Sequence, residues 1–201
     1  MPLNILIYNS GGGLGDSIQL FPLILSLKNH FKKSRLYYLG AHENHYINKL
    51  KDFKISIETL DLNLKYFGFR WWHLFKVKKK LSELNINEFD LIIDLQSKLR
   101  NTIILKQIPT KEFYSSTLNF FFCSKKKKYL SKSRIVEKTI NNLEIFFDTN
   151  IEYKDNVFEQ IDNIYVKEAE RLLPNKNYVA LSITQGNLYR KKSWPINKVV
   201  D

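Results

Sequence analysis

The stretch Leu3–Leu27, LNILIYNSGGGLGDSIQLFPLILSL, constrains this chain more than any other: an apolar strand, a glycine loop, a carboxylate and an apolar helix follow one another without a gap. Asn4–Tyr8 is a short β-branched and apolar run, the pattern of a parallel strand buried on both faces. Gly11, Gly12, Gly13 and Gly15 supply four of the seven glycines in the chain. Such a loop reaches positive φ at little cost and lets backbone come close to a ligand. Asp16 stands where a helix N-cap belongs, and Ile18, Phe21 and Leu25 predict one helix running on to about Phe31. One carboxylate is then presented at the C-terminal end of a first strand, where open α/β sheets bind ligands.

Two phosphate-binding motifs are excluded at this loop. The spacing Gly11, Gly13, Gly15 is not a dinucleotide fingerprint, and no acidic residue closes the second strand expected at Arg35–Gly40. No Lys-Ser or Lys-Thr pair follows the glycines, so a P-loop is absent. On the loop alone Asp16 is either a cap for first-turn amides or a functional carboxylate.

Further along, RLYYLG (Arg35–Gly40) reads as a second strand, Glu43–Leu50 as a short helix, and Lys54–Leu60, with Ile55 and Ile57 alternating, as a third strand. This β-α-β-α-β pattern predicts a parallel sheet with right-handed crossovers and the glycine loop at its ligand edge. Between Asp61 and Phe75 the rings of Tyr66, Phe67, Phe69, Trp71, Trp72 and Phe75 are interleaved with Arg70 and His73. Packing of this loop and the next helix onto the sheet is the favoured reading. Stacking on single-stranded nucleic acid, or holding a lipid or sugar face of an acceptor, are the alternatives. A helix over residues 72–84 carries lysines on its exposed side.

DLIIDL (Asp90–Leu95) is the clearest central strand, and Asp94-Leu95-Gln96 leads from it into a helix starting near Lys98. These polar groups are expected at the same edge as Asp16, with Arg100 one turn in and suited to a phosphate or carboxylate. An ordinary capped strand-to-helix turn is the alternative. Lys111–Tyr114 predicts a fifth strand, Thr117–Ser133 a mobile loop with Cys123 as a small apolar residue, and Arg134–Phe147 an amphipathic helix. Residues 1–147 therefore read as one α/β domain and 148–162 as a linker. Residues 163–201, with a helix over Asn163–Leu173 and a strand at Tyr178–Ile183, read as the beginning of a second α/β domain cut after Asp201.

At 201 residues, 44% hydrophobic and 26% charged, the chain can bury one good core. Its single cysteine rules out an internal disulfide and fits a reducing compartment. No signal segment and no apolar run of ~18 residues is visible, so a cytoplasmic location is expected. His30, His42, His45 and His73 form no metal-ligand pattern with the carboxylates, so no metal is expected. The net charge of +12, from 32 Lys and Arg against 20 Asp and Glu, calls for an anionic partner. Lys76–Lys80 and Lys125–Lys128 supply much of it, and nucleic acid, an anionic membrane face, a phosphorylated lipid or plain solvation all fit.

Three ordered segments resemble the heptosyltransferase-like glycosyltransferases of family 9, which build the lipopolysaccharide core. They are Gly15-Asp16 followed by Phe21-Pro22, FDLIIDLQSKLRN (Phe89–Asn101), and KKSWP (Lys191–Pro195). The resemblance implies a GT-B architecture of two facing Rossmann-like domains, of which this chain holds the N-terminal one and the start of the second. It implies inverting transfer of a heptose or related sugar from a nucleotide-diphosphate sugar, ADP-heptose, to a lipopolysaccharide-core or similar glycan acceptor. Asp16 matches the catalytic base, Gly13, Gly15, Asp94, Gln96 and Arg100 match substrate-binding positions, and Lys192 matches the donor-phosphate contact. No cofactor beyond that donor substrate and no nucleic acid is implied, and contact with the inner membrane face would be peripheral. A basic binding module for nucleic acid or an anionic membrane surface, with Asp16 only a cap, is the rival from another class. A related glycosyltransferase with a different acceptor is the rival within it.

Overall fold

A computed structural model describes residues 3–10, 13–40, 44–62, 69–83, 88–130, 136–156, 159, 161–174 and 177. The chain divides into two compact units, Met1–Ile161 and Asp162–Asp201.

In the first unit, five parallel strands form one sheet: β1 (Asn4–Asn9), β2 (Arg35–Gly40), β3 (Glu58–Thr59), β4 (Phe89–Asp94) and β5 (Thr110–Ser115), in the order β3-β2-β1-β4-β5. The all-parallel α/β sheet expected from the alternating pattern is thus present. Helices cover both faces, as a parallel sheet requires. Ile5, Ile7, Leu36, Tyr38, Leu91 and Ile93 pack on one face with Phe21, Leu23, Ile24 and Leu27 of α2 (Phe21–His30) and Ile140, Leu143 and Phe146 of α5 (Val136–Phe147). Leu6, Tyr8, Leu39, Ile92 and Phe113 pack on the other with Val77 and Leu81 of α3 (His73–Glu83) and Ile104 and Leu105 of α4 (Leu99–Leu105). Each such fully buried aliphatic contributes about 1.5–3 kcal/mol. The helix after β1 and the helix after β4 therefore lie on opposite faces, which makes the C-terminal ends of β1 and β4 the switch point of the sheet.

Several sequence expectations change. The helix expected from Asp16 to Phe31 is two helices, α1 (Leu14–Ile18) and α2, separated at Gln19-Leu20. Pro22 is the reason: it has no N–H for the Ile18 carbonyl, and its ring would crowd that carbonyl in a continuous helix. The described part of the helix expected at Glu43–Leu50 is a run of turns, followed by a 3₁₀ turn at Lys51–Phe53. The third strand is only Glu58–Thr59, since Ile57 N–H donates to the Ile55 carbonyl (3.0 Å) and Ile55 and Ile57 are buried in a bend. An edge strand this short gives little for another chain to pair with. Finally, only Phe69 and His73 of the described 69–75 aromatic group are buried; Trp71, Trp72 and Phe75 are exposed, against the packing expected of them.

The stretch expected as a mobile loop after Thr117 is packed where it is described. Leu118, Asn119 and Phe120 all have positive φ, Phe120 and Cys123 are buried, and Ser124 Oγ accepts from Phe113 N–H of β5 (2.8 Å). This segment covers the outer edge of β5. The Cys123 thiol, pushed up by burial, accepts from Ser115 N–H (3.4 Å), consistent with a small buried residue rather than a nucleophile. The stretch expected as a linker runs back along α2: Lys154 N–H donates to Ser26 Oγ (2.8 Å) and Asn29 Nδ2 donates to Glu152 (3.0 Å). In the second unit α6 (Asn163–Leu172) is capped by Asp162, whose carboxylate accepts from Ile164 N–H (3.1 Å). Tyr178–Ile183 and KKSWP, including Lys192, lie outside the described residues.

Candidate active site

Parallel register fixes what meets at the C-terminal edge. Asn9 pairs with Gly40, Tyr8 with Asp94, and Asp94 with Ser115, so four strands end side by side. Leu95 N–H donates to the Tyr8 carbonyl (3.1 Å), and Gln96 Nε2 donates to Asn9 Oδ1 across the switch point. Asp16 follows β1 and Asp94 ends β4, both strands running toward this edge, as their sequence positions predict.

Asp16 is not the N-cap. That position is Gly13, and Asp16 is the third residue of α1, with Oδ2 accepting from Gly13 N–H (3.1 Å). This is half of a capping box; the reciprocal half needs a side chain that Gly13 lacks. Among the described residues no other group donates to the carboxylate, and Asp16 is exposed. A Cβ on Gly13 would come within 3.1 Å of Asp16 Oδ2, so glycine there leaves the carboxylate its seat. Gly15 lies within α1 and, among the described residues, nothing comes within 4 Å of the place where its Cβ would be.

Two tyrosines that sequence reasoning missed support α1. Tyr46 O–H donates to the Ser17 carbonyl (2.9 Å), and its ring meets Tyr38 edge-on at 5.2 Å between centroids. Burial pushes the Tyr38 phenol up, and the nearby Asp16 carboxylate pushes in the same direction. No local signal marks this pair, because Tyr46 reaches Ser17 across 29 residues of chain. The period-2 pattern of RLYYLG could have shown only that Leu36 and Tyr38 share a face.

Asp94 is 1% exposed. Its Oδ1 accepts from Gln96 N–H (3.0 Å), and its Oδ2 accepts from Thr102 Oγ1 (2.6 Å) and Ser115 Oγ (2.8 Å). Burial pushes the carboxyl up while these donors pull it back. Thr102 belongs to α4 and Ser115 to β5, so the carboxylate ties three elements together under the 95–98 turn. Ser97 takes a positive φ of 51° in that turn, and its hydroxyl meets that of Ser116. Asp94 is therefore placed to hold Gln96 and the start of α4, beneath the surface rather than on it. Arg100, half-buried, has its Nε without a hydrogen-bond partner among the described residues. The structure thus brings Gly13, Gly15, Asp16, Gln96 and Arg100 to one sheet edge, with Asp94 below them.

No family model matches the sequence, and no curated protein matches it. Among solved structures, the chain is similar to the glycosyl transferase family 9 structure from Veillonella parvula DSM 2008. The TM-score is 0.55 at 17% identity, covering 98% of this chain and 58% of that one. It is also similar to E. coli heptosyltransferase WaaC with ADP-2-deoxy-2-fluoro heptose, with a TM-score of 0.51 at 11% identity over 76% of this chain and 51% of that one. The WaaC structure with ADP gives 0.50 at 10% identity over 76% and 50%. The fold is accordingly the Rossmann-like α/β fold of these GT-B glycosyltransferase structures. This chain spans between 50% and 58% of their length.

Proposed function

We propose that this chain is the acceptor-side part of an inverting glycosyltransferase. It moves a heptose or related sugar from a nucleotide-diphosphate sugar, ADP-heptose in the first instance, to a lipopolysaccharide-core or similar glycan acceptor. The observation that carries this reading is the exposed Asp16 carboxylate, fixed through one oxygen by Gly13 N–H at the switch-point edge. The fold it shares with glycosyltransferase structures supports the reaction class.

In this reading the second oxygen of Asp16 accepts the proton of the acceptor hydroxyl as that oxygen attacks the anomeric carbon. The bond from the anomeric carbon to the diphosphate breaks on the opposite side, and the nucleoside diphosphate leaves with the electron pair. Lys192 meets the developing charge on the diphosphate. Gln96 and Arg100 hold polar and anionic groups of the acceptor, with the Arg100 guanidinium offering donors in a fixed fork. The transfer as proposed uses no metal.

Gly15 gives the sharpest test of substrate at this edge. Inside a helix, Gly15→Ala is expected to raise stability by about 0.5 kcal/mol, because nothing among the described residues opposes the methyl group. If substrate packs over Gly15, the same change raises the apparent KM for acceptor about tenfold or more in an ADP-heptose transfer assay on the enzyme containing this chain. Product NMR in that assay is expected to show an inverted anomeric centre. A stabilised variant with unchanged kinetics removes Gly15 from the site, and absence of ADP release with any glycan acceptor removes the reaction.

A second reading, a basic binding module without catalysis, draws on the lysines of α3. Salt-steep nucleic-acid binding with no response to sugar nucleotides would select it.

A further inference from the structure

Helix α3 carries an exposed surface that the fold does not use. Its buried stripe is His73, Val77 and Leu81, four residues apart. At 100° per residue, Phe75 and Lys79 fall on the opposite pole, flanked by Lys78 on one side and Lys76 on the other. Phe75 is 82% exposed, and in the turn leading into the helix Trp71 is 55% and Trp72 50% exposed. Among the described residues Lys76, Lys78 and Lys79 form no ion pair, whereas Lys80 pairs with Glu83 at 2.7 Å.

The other lysine run differs. Lys125 pairs with Glu112 (3.0 Å) and Lys127 with Asp148 (2.8 Å), so part of its charge is already answered within the fold. Charge left unanswered therefore concentrates on α3, beside three large exposed rings.

We propose that Trp71, Trp72 and Phe75, with Lys76, Lys78 and Lys79, form a docking surface for an anionic lipid bilayer. Tryptophan and phenylalanine rings settle at the boundary of headgroups and acyl chains, and lysines beside them meet anionic headgroups while their stems stay in apolar surroundings. Nucleic acid is the weaker fit, because base stacking uses rings lining a groove that tracks the backbone, and here Phe75 protrudes from the convex pole of a helix. Among the described residues no helix is long and apolar enough to cross a membrane, so the contact is peripheral.

The location gives the surface a purpose, which rests on the glycolipid-acceptor reading above. A helix that feeds a parallel strand runs antiparallel to it, so the start of α3 lies toward the C-terminal edge of the sheet. Phe69, just before Trp71, stacks on Tyr8 at the end of β1 with 5.1 Å between centroids. The rings thus stand at the rim of the edge that carries Asp16, where a headgroup-borne acceptor would leave the bilayer.

The test uses the full chain and vesicles of phosphatidylethanolamine with phosphatidylglycerol, against vesicles of phosphatidylcholine alone. In a Trp194→Phe background Trp71 and Trp72 are the remaining two of three tryptophans. Their emission is expected to shift to the blue, and to be quenched by brominated lipid, only with the anionic vesicles. The combined change Trp71→Ser, Trp72→Ser, Phe75→Ser should weaken sedimentation with those vesicles, and so should Lys76→Glu, Lys78→Glu, Lys79→Glu, each by about 10- to 100-fold. The changed side chains are exposed, and unchanged circular dichroism and Tm would show that the fold is kept.

Absence of anionic-vesicle binding overturns the proposal. So does binding that survives both sets of changes, loss of the rings into a dimer seen by sedimentation, or ring-dependent binding of an oligonucleotide without vesicle binding. Because these vesicles contain no glycan acceptor, the outcome is independent of transfer. Transfer in solution without vesicle binding would sink this surface alone, and vesicle binding without transfer would sink only the glycosyltransferase reading.

Discussion

Replacing Asp16 by Asn is expected to lower sugar transfer by about 10²- to 10⁴-fold, the usual contribution of a positioned general base, while leaving the thermal midpoint nearly unchanged. The separation of the two effects comes from the geometry of α1. Asn keeps a side-chain oxygen in the place where Oδ2 accepts from Gly13 N–H, so the first turn stays closed. What Asn loses is the capacity to take a proton. A carboxylate that only closes the turn would show little change in either property on this substitution. Turnover at saturating ADP-heptose and acceptor, measured beside a melting curve for each protein, decides the matter. Unchanged turnover in Asp16→Asn would end the base assignment.

The second large effect is on folding. Asp94→Ala is expected to cost about 2–4 kcal/mol, because Thr102 and Ser115 hydroxyls and the Gln96 amide all lose a buried acceptor. The loss is not the full sum of three bonds. Thr117 Oγ1 already lies 2.7 Å from Thr102 Oγ1 and 3.0 Å from Ser115 Oγ, so part of the network can pair again. For a chain of this size the change corresponds to a fall in Tm of about 5–15 °C. Asp94→Asn, which keeps one acceptor but turns a donor toward two hydroxyls, should fall between Asp94→Ala and the parent. A melting curve for Asp94→Ala within a degree or two of the parent would show that the turn is held by other contacts.

How much of this was legible in the sequence varies with the range of the interactions involved. β1 and β4 are continuous apolar runs, and a strand buried on both faces leaves no other reading of NILIY and DLIID. The glycine loop marked the C-terminal edge of the sheet for the same local reason. Ile55 and Ile57 alternate as a strand would, yet their burial is reached through a bend, so period alone started β3 four residues early. Pro22 was visible throughout, and its effect at Ile18 follows from its missing N–H, but the apolar period on both sides masked the break.

The site divides in the same way. Asp16 and Asp94 read alike in sequence, each a carboxylate where a strand gives way to a helix. Register and packing separate them: Asp94 has Ser115 beside it on β5 and Thr102 above it on α4, both distant in sequence, while Asp16 faces outward. Tyr38 and Tyr46 carried no motif at all. In sequence the rings at 71–75 suggest packing because aromatics are more often inside, and only the placement of His73, Val77 and Leu81 on the buried stripe of α3 turns Phe75 outward.

The break between α1 and α2 also separates two kinds of heritable change. α2 buries Phe21, Leu23, Ile24 and Leu27 in the main core, so substitutions there are judged by whether the chain folds. α1 buries Ser17 alone, and its ends are free of that judgement. Residues 13–16 can therefore drift, or be exchanged by an engineer, at small cost to the scaffold, which makes this edge of the sheet a replaceable module seated on a fixed foundation.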